Sequence, residues 1–201
     1  MKGSQQKNLL NLAKKRGVIT SKEATRLGIH SQVLTRLVHQ GILERIARGQ
    51  YFLSDHPISE YHALTIIARA VPSGVLCLLS ALSFHGLGTQ LPAEVWLAVE
   101  HRAPQPRLYF PPLRVVRFSG EAFTAGIERH MLEGQPVRIY NIPKTLADLF
   151  KYRNKVGLEV ALEALREAWN EKRFTMDDLD RYAQICRVKR IMAPYLEALI
   201  A

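Results

Sequence analysis

The sequence has only two cysteines, Cys77 and Cys186, and neither has a second cysteine at CxxC spacing. A disulfide framework and a thiolate zinc site are therefore excluded, and we expect both thiols to be reduced and buried in the core. At 201 residues the chain is long enough for one large or two small domains with a substantial core.

Long apolar runs are lacking as well. The longest, residues 75–87, spans 13 positions and includes two serines, a histidine and a glycine, whereas a helix that crosses a bilayer needs about 20 apolar residues. The first ten residues, MKGSQQKNLL, have no apolar stretch of the kind found in signal peptides. We therefore expect a cytoplasmic protein that has no membrane partner.

Catalytic motifs are the third absence. The sequence has no Walker A motif, no GxSxG, no HExxH and no cysteine–histidine zinc spacing. Glu94 and Glu100 leave a metal-dependent nuclease as an alternative, although no acid-x-Lys pair accompanies them. Ser80, Ser83 and His85 lack an oxyanion glycine pattern, so we interpret them as core and capping residues. We expect no enzyme activity, no metal and no cofactor.

Negative charge is scarce at one end of the chain. Residues 1–55 contain ten Lys or Arg and three Asp or Glu, a net charge of +7, whereas residues 56–201 contain eighteen and fifteen, a net charge of +3. Positive charge concentrated in this way is typical of a segment that binds a polyanion, most simply DNA.

The same segment contains a helix-turn-helix pattern. In EATRLGIHSQVLTRL, Ala24 is followed by a glycine at position 28 and by Leu34. The small residue allows two helices to approach, Gly28 permits a left-handed turn, and the aliphatic residue fixes the second helix against the first. Ser31 has the position of a cap for that second helix.

Two further patterns complete this N-terminal module. A helix is predicted over residues 5–16 and ends at Gly17, and Thr20 with Glu23 has the spacing of a capping box. After Gly41, apolar residues flank an Arg48-Gly49 turn, which predicts a two-stranded hairpin. Three helices followed by a hairpin predict a winged helix.

The second helix of the motif has an apolar stripe and an opposite polar stripe. The polar stripe contains glutamine, threonine and arginine. Side chains of these types contact base edges and phosphates in DNA complexes. The predicted DNA-binding residues are Ser31, Gln32, Thr35, Arg36 and His39 on this helix, and Arg45, Arg48 and Gln50 on the hairpin. The alternative interpretation is that this face is simply solvated and belongs to a winged helix that binds protein.

The rest of the chain predicts a second domain. We place a winged-helix domain at residues 1–55, a polar linker at residues 54–59 and a mixed domain at residues 59–201. Strands are predicted at 94–100, 113–118 and 137–141, helices at 60–70 and 80–85 and from 143 to 200, and a loop or edge in the proline-rich segment 102–113. The predicted fold class is therefore α+β, a winged helix-turn-helix followed by a mixed α/β domain with a C-terminal helical part.

Two features of the second domain are candidate functional sites. Asn141 and Pro143 predict a helix start, with phosphate binding by Lys144 and Thr145 as the alternative. Farther along, Glu159, Glu163 and Glu167 line one face of a predicted helix at steps of four residues. Such a row of charges is either solvated or part of a protective surface.

Several of these segments together resemble a known family. The hairpin end RGQYFL, then LLSALSFHGL, IPKTLADLFKYRNKVG and LEVALEALREA, are similar to the AbiEi antitoxins of bacterial type IV toxin–antitoxin systems that act in abortive infection of phage-infected cells. The likeness covers about residues 5–170, and its most specific part is Lys144-Thr145-x-x-Asp148 with Gly157. It implies a repressor that binds inverted repeats in its own promoter. It also implies that the second domain counters a nucleotidyltransferase toxin encoded beside it, with direct contact left open.

Overall fold

The computed structural model describes residues 2–54 and 59–200, and the chain forms two compact units. The first unit comprises Met1–Ser73, Gln105–Leu113 and His130–Val137, and the second comprises Gly74–Pro104, Arg114–Arg129 and Arg138–Ala201. Most of the predicted linker at 54–59 lies outside the described residues, so the domain boundary there stays a prediction.

The N-terminal part of the chain forms a winged helix. Its elements are α1 (Lys2–Arg16), β1 (Val18–Thr20), α2 (Ser21–Arg26), α3 (Ser31–His39), β2 (Leu43–Ala47), β3 (Gln50–Leu53) and α4 (His62–Ala70). The three strands form an antiparallel sheet in the order β1-β3-β2, with Val18 opposite Phe52 and Arg45 opposite Tyr51. The predicted α+β class with an N-terminal winged helix-turn-helix is confirmed.

Local signals explain where these helices begin and end. α1 ends just before Gly17, and the capping box at the start of α2 is present. Thr20 Oγ1 accepts a hydrogen bond from the Glu23 amide over 3.2 Å, and Glu23 Oε2 accepts one from the Thr20 amide over 2.7 Å. Two amides that helix formation leaves unsatisfied are thereby paired.

Helix α4 packs into the winged helix, although it follows the hairpin in sequence. Ile66 on α4 is 1% exposed and forms one buried cluster with Val18, Ile46 and Phe52 of the sheet. Arg69 Nη2, near the end of α4, lies 2.6 Å from Glu23 Oε1. The winged helix therefore gains a hydrophobic contact and an ion pair from residues beyond 59.

The second part of the chain is a mixed domain. Its elements are β4 (Val75–Leu76), α5 (Leu78–Phe84), β5 (Val95–Glu100), β6 (Leu113–Phe118), α6 (Glu121–Thr124), β7 (Ile127–Leu132), β8 (Gln135–Tyr140), α7 (Ile142–Lys151), α8 (Arg153–Val156), α9 (Leu158–Asn170), α10 (Met176–Ile185) and α11 (Lys189–Ile200). The strands form one sheet in the order β6-β5-β4-β8-β7, in which β4 runs parallel to β8 and antiparallel to β5.

The predicted strands correspond to β5, β6 and β8, and the predicted helices are confirmed within a few residues of their ends. β4 and β7 were not predicted. β4 is only two residues long, and β7 has the sequence IERHML, in which only Ile127 is β-branched and no residue is Phe, Tyr or Trp, so the usual composition of a strand is missing. The mixed domain has its core around α7, in which every residue from 142 to 150 is buried.

The turn between β7 and β8 belongs to the first unit and holds a cluster of hydrogen bonds. Glu133 accepts from Ser59 Oγ over 2.6 Å and from Thr65 Oγ1 over 2.9 Å, and it lies 3.1 Å from His62 Nδ1. Burial by itself raises the pKa of Glu133, but these hydrogen bonds outweigh burial and hold that pKa below its ordinary value. The turn is thereby fixed to the start of α4.

Candidate nucleic-acid interface

Helix α3 is positioned by a sharp turn and by its own apolar face. Gly28, between α2 and α3, has φ 71°, a left-handed conformation that side chains with a Cβ rarely adopt. Ala24, Leu34 and Leu37 are at most 1% exposed and hold the two helices together. Ala24, Gly28 and Leu34 therefore have the structural roles that the helix-turn-helix pattern predicts.

The predicted cap of α3 was wrong by one residue. His30 is the N-cap, and its Nδ1 accepts from the Gln32 amide over 3.4 Å, whereas Ser31 is the first residue of the helix. An imidazole nitrogen can accept in the same way as a serine hydroxyl, and His30 has the extended backbone that a cap requires. Ser31 is exposed and its carbonyl oxygen accepts from Thr35 Oγ1 over 3.3 Å.

The polar face of α3 is open to solvent. Leu34 and Leu37 point into the core, and the side chains of the predicted recognition face lie on the other side. All five are exposed: Ser31, Gln32, Thr35, Arg36 and His39. Their spacing on a regular helix brings them to one side, so the structure presents them as a single surface.

The hairpin of the wing is formed as predicted, with a turn at Arg48-Gly49 in which Gly49 has φ 72°. Arg45 and Arg48 are exposed, in agreement with the predicted surface. Gln50 is different, because it is half-buried and its Nε2 donates to the Ala70 carbonyl oxygen at the end of α4 over 3.4 Å. That contact turns the Gln50 side chain towards α4, so we leave it out of the proposed interface.

The wing contacts Tyr109 of the proline-rich segment, a contact that was not predicted from the sequence. The Tyr109 amide donates to the Ile46 carbonyl oxygen over 2.6 Å, and the Arg45 guanidinium lies 5.9 Å from the centre of the Tyr109 ring. The proline-rich segment was predicted only as a loop or an edge. More than sixty positions separate Tyr109 from Arg45 in the sequence, and no local pattern relates two such distant residues.

The alternative of phosphate binding by Lys144 is contradicted. Asn141 caps α7 by accepting from the Lys144 amide over 3.0 Å, as predicted, but the Lys144 side chain is completely buried. Its Nζ lies 2.5 Å from Asp148 Oδ2 and 4.1 Å from the centre of the Tyr140 ring. Thr145 Oγ1 donates to the Tyr140 carbonyl oxygen. These residues are part of the core and cannot reach a phosphate in solution.

Both cysteines are free and buried, as predicted. Cys186 Sγ donates to Asp148 Oδ1 over 3.2 Å, and burial together with this carboxylate raises the pKa of Cys186 to about 12. Burial also raises the pKa of Cys77 well above its ordinary value. Burial raises the pKa of Asp148 too, a shift that the adjacent Lys144 opposes. The thiols therefore stay protonated and lack the reactivity of a thiolate.

The other catalytic candidates have structural roles. Ser80 Oγ accepts from the Trp96 amide over 2.9 Å. His85 caps the end of α5, and its Nε2 lies 2.8 Å from the carbonyl oxygen of Tyr140. Glu94 pairs with Arg114 at 2.9 Å. In the part of the chain that the structure describes, no group of histidine, cysteine and acidic side chains is arranged to hold a metal ion, and no helix is long and apolar enough to cross a membrane.

The acidic residues of α9 do not form a uniform face. Glu167 Oε2 accepts from the Gly88 amide over 2.5 Å and thereby fixes the loop after α5. Glu159 is exposed and Glu163 is half-buried. They line a shallow pocket of about 680 Å³, together with Thr89 and other residues of this loop and α9.

Comparison with known families identifies the part of the chain that contains this interface. Residues 8–53, which run from α1 to the end of β3, match the family described as "Transcriptional regulator, AbiEi antitoxin". This N-terminal segment, called the AbiEi domain below, is similar to that family. The resemblance predicted from the sequence is confirmed over residues 8–53.

Comparison with solved structures extends the similarity in fold to most of the chain. The AbiEi domain and the mixed domain together resemble the crystal structure of the RV2827C protein from Mycobacterium tuberculosis, with a TM-score of 0.65 and 17% sequence identity. The match covers 88% of this chain and 69% of that one. At this identity the likeness concerns the fold alone. A comparison with curated protein sequences returns no significant match.

Proposed function

We propose that the protein is a DNA-binding autorepressor that recognises inverted repeats in its own promoter. The observation that carries the proposal is the α3 surface, on which five polar side chains are exposed opposite a buried apolar stripe. A helix held in this way by a helix-turn-helix can enter the major groove of double-stranded DNA. The net charge of +7 over residues 1–55 favours the approach to a polyanion.

In this proposal the exposed residues of α3 contact different groups of the DNA. Arg36 has the forked donors that bind guanine at two points, and Gln32 can bind adenine in the same bidentate manner. Thr35 offers a hydroxyl and a methyl group, while Ser31 and His39 lie at the two ends of the exposed face. The exposed Arg45 and Arg48 of the wing are assigned to phosphates or the adjoining minor groove.

Arg36 provides the direct test. In the full-length protein, Arg36→Ala should weaken binding to the upstream promoter DNA by about 1–3 kcal/mol and relax the preference at one base pair, because a bidentate base contact is lost. The measurement is fluorescence anisotropy with a labelled promoter duplex and a set of single-base variants. Lys189→Ala, which removes an exposed charge paired with Asp180 far from α3 in the sequence, is the control. Unchanged affinity and unchanged base preference would remove Arg36 from the recognition surface.

The salt dependence of binding separates this function from its main alternative. A winged helix that binds protein through the same face would show no systematic loss of affinity for DNA as salt rises. A protein that neutralises several phosphates releases counterions, so its affinity falls steeply with salt concentration. We propose that the chain shows this steep salt dependence, and that it acts by binding DNA and without catalysis.

We also propose that the protein is the antitoxin of a nucleotidyltransferase toxin encoded beside it, acting in the cytoplasm of a bacterium that resists phage. The AbiEi domain supports the antitoxin role in general. The toxin class and the type IV mechanism follow from the resemblance of the longer sequence. Glu159 and Glu163 are the proposed protective surface, whereas Glu167 is already engaged with the Gly88 amide.

Charge reversal tests this surface without touching the AbiEi domain. The double variant Glu159→Lys with Glu163→Lys should lose protection in cells that express the neighbouring toxin while it still represses a promoter reporter. The reason is that a basic partner would meet repulsion where it now meets two carboxylates. Glu197→Lys, an exposed reversal on α11, is the matched control. If the double variant protects as well as the control does, the acidic residues are only solvated.

A further inference from the structure

An aromatic side chain from the proline-rich segment stands beside the proposed DNA-binding wing. Gln105–Leu113 belongs to the same compact unit as the winged helix, and the Tyr109 amide donates to the Ile46 carbonyl oxygen of β2. This backbone contact places Tyr109 next to a residue that the proposed function assigns to phosphate. The segment has one arginine, Arg107, which is exposed, and no acidic residue.

Tyr109 is 71% exposed, so the folding of the core does not account for its ring. The Arg45 guanidinium carbon lies 5.9 Å from the centre of that ring, within the range of a cation–π contact. Arg45 Nε also faces the Ala47 carbonyl oxygen at 3.4 Å. The ring and this carbonyl group together hold a long side chain that would otherwise sample many rotamers.

A guanidinium can stack on a ring and donate hydrogen bonds from its edge at the same time, because the two interactions use different directions. With one face on Tyr109 and Nε turned to Ala47, the terminal nitrogens are the donors that meet an anion. A phosphate would then bind an arginine whose conformation is already fixed. The entropic cost of binding is lower for such a side chain.

We propose that Tyr109 is a positioning residue of the DNA interface, which holds Arg45 of the wing for contact with a phosphate of double-stranded DNA. The proposal rests on the proposed function. It extends the interface to Gln105–Leu113, so that residues far apart in the sequence act together on one nucleic acid.

The test uses the full chain and two labelled duplexes of equal length, one cut from the DNA upstream of its coding sequence and one with that sequence scrambled. Tyr109→Ala should weaken binding to both by roughly two- to five-fold, which is the effect of one exposed cation–π contact. The slope of log affinity against log salt should fall towards that of Arg45→Ala, which should be lower than wild type by about 0.9 for one lost phosphate contact. Tyr109→Phe keeps the ring and should restore both values.

A double-mutant cycle distinguishes positioning from a merely structural role. Arg45→Ala with Tyr109→Ala should bind no more weakly than Arg45→Ala alone, because Tyr109 acts through Arg45. Losses that add, or a wild-type salt slope in Tyr109→Ala, would overturn the proposal. Leu91→Ala is the control, since Leu91 is a highly exposed apolar residue of the second unit.

A second measurement does not depend on truncating the ring. A benzophenone amino acid at position 109 should crosslink to the promoter duplex under light, and the same group at position 91 should not. Absence of the crosslink at position 109 would also overturn the proposal. If wild-type protein bound neither duplex, the proposed function itself would fail, whereas binding by wild type with no effect of Tyr109→Ala refutes only the positioning role.

Discussion

Lys144→Met should lower the free energy of unfolding by about 3–5 kcal/mol, the usual cost of removing one partner of a buried ion pair. Both side chains of the pair are completely buried, so Asp148 would be left in the core with its charge uncompensated. The thiol of Cys186 is a weak donor and cannot replace an ammonium group. The measurement is urea unfolding followed by circular dichroism, with the stability of wild type as the reference.

A second substitution and a pH series make this prediction specific. Lys144→Met with Asp148→Leu should recover most of the lost stability, because an apolar pair of similar volume leaves no buried charge. In Lys144→Met alone, burial would keep the folded pKa of Asp148 above the unfolded value. The unfolded chain would then release its proton first, so the stability of this variant should fall as pH rises from about 4. Equal stability of the single and double variants would contradict this account.

Ile66→Ala should lower the stability of the first unit by about 2–5 kcal/mol, the range for truncating a fully buried isoleucine. The side chain closes the cluster that contains Val18, Ile46 and Phe52, all of which lie on the sheet of the winged helix. At temperatures where the variant is still folded, its affinity for DNA should equal that of wild type, since Ile66 is buried away from solvent. Thermal unfolding and DNA binding are therefore measured on the same sample.

Ile185→Ala is the matched control for this effect. Ile185 ends α10 in the second unit and is only half-buried, so the same truncation removes fewer contacts there. A loss of stability in Ile66→Ala no larger than in the control would mean that α4 is not part of the winged-helix core.

The sequence predicted the winged helix well because its determinants are local. Glycines at the helix ends, the Thr20–Glu23 capping box and the Arg48-Gly49 turn each act within a few residues of the structure that they specify. The exposed polar face of α3 could be predicted from helical periodicity. In the mixed domain the strands with β-branched and aromatic residues could be located, but β7 could not, since its apolar and polar residues do not alternate with a period of two.

What the sequence could not provide are the partners of individual side chains. The four-residue spacing of Lys144 and Asp148 permits an ion pair on a helix, but only the packing around α7 shows that the pair is buried. Gln50 was assigned to DNA from its residue type, and its contact with Ala70 depends on where α4 lies. Tyr109 was missed for the same reason. Contacts between residues that are far apart in the sequence leave no local sequence pattern from which they could be predicted.

The two carboxylate oxygens of Glu23 contact different helices, and this limits how the AbiEi domain can be transplanted. Oε2 accepts from the Thr20 amide at the start of α2, while Oε1 lies beside Arg69 near the end of α4. A chimaera that takes only residues 1–54 would keep the capping box but lose the arginine. Exchanging α3 alone within this scaffold would leave both contacts intact. Helix α3 is therefore the smallest portable part of this domain, and under the proposed function a repressor of altered specificity is best built by replacing α3 in place.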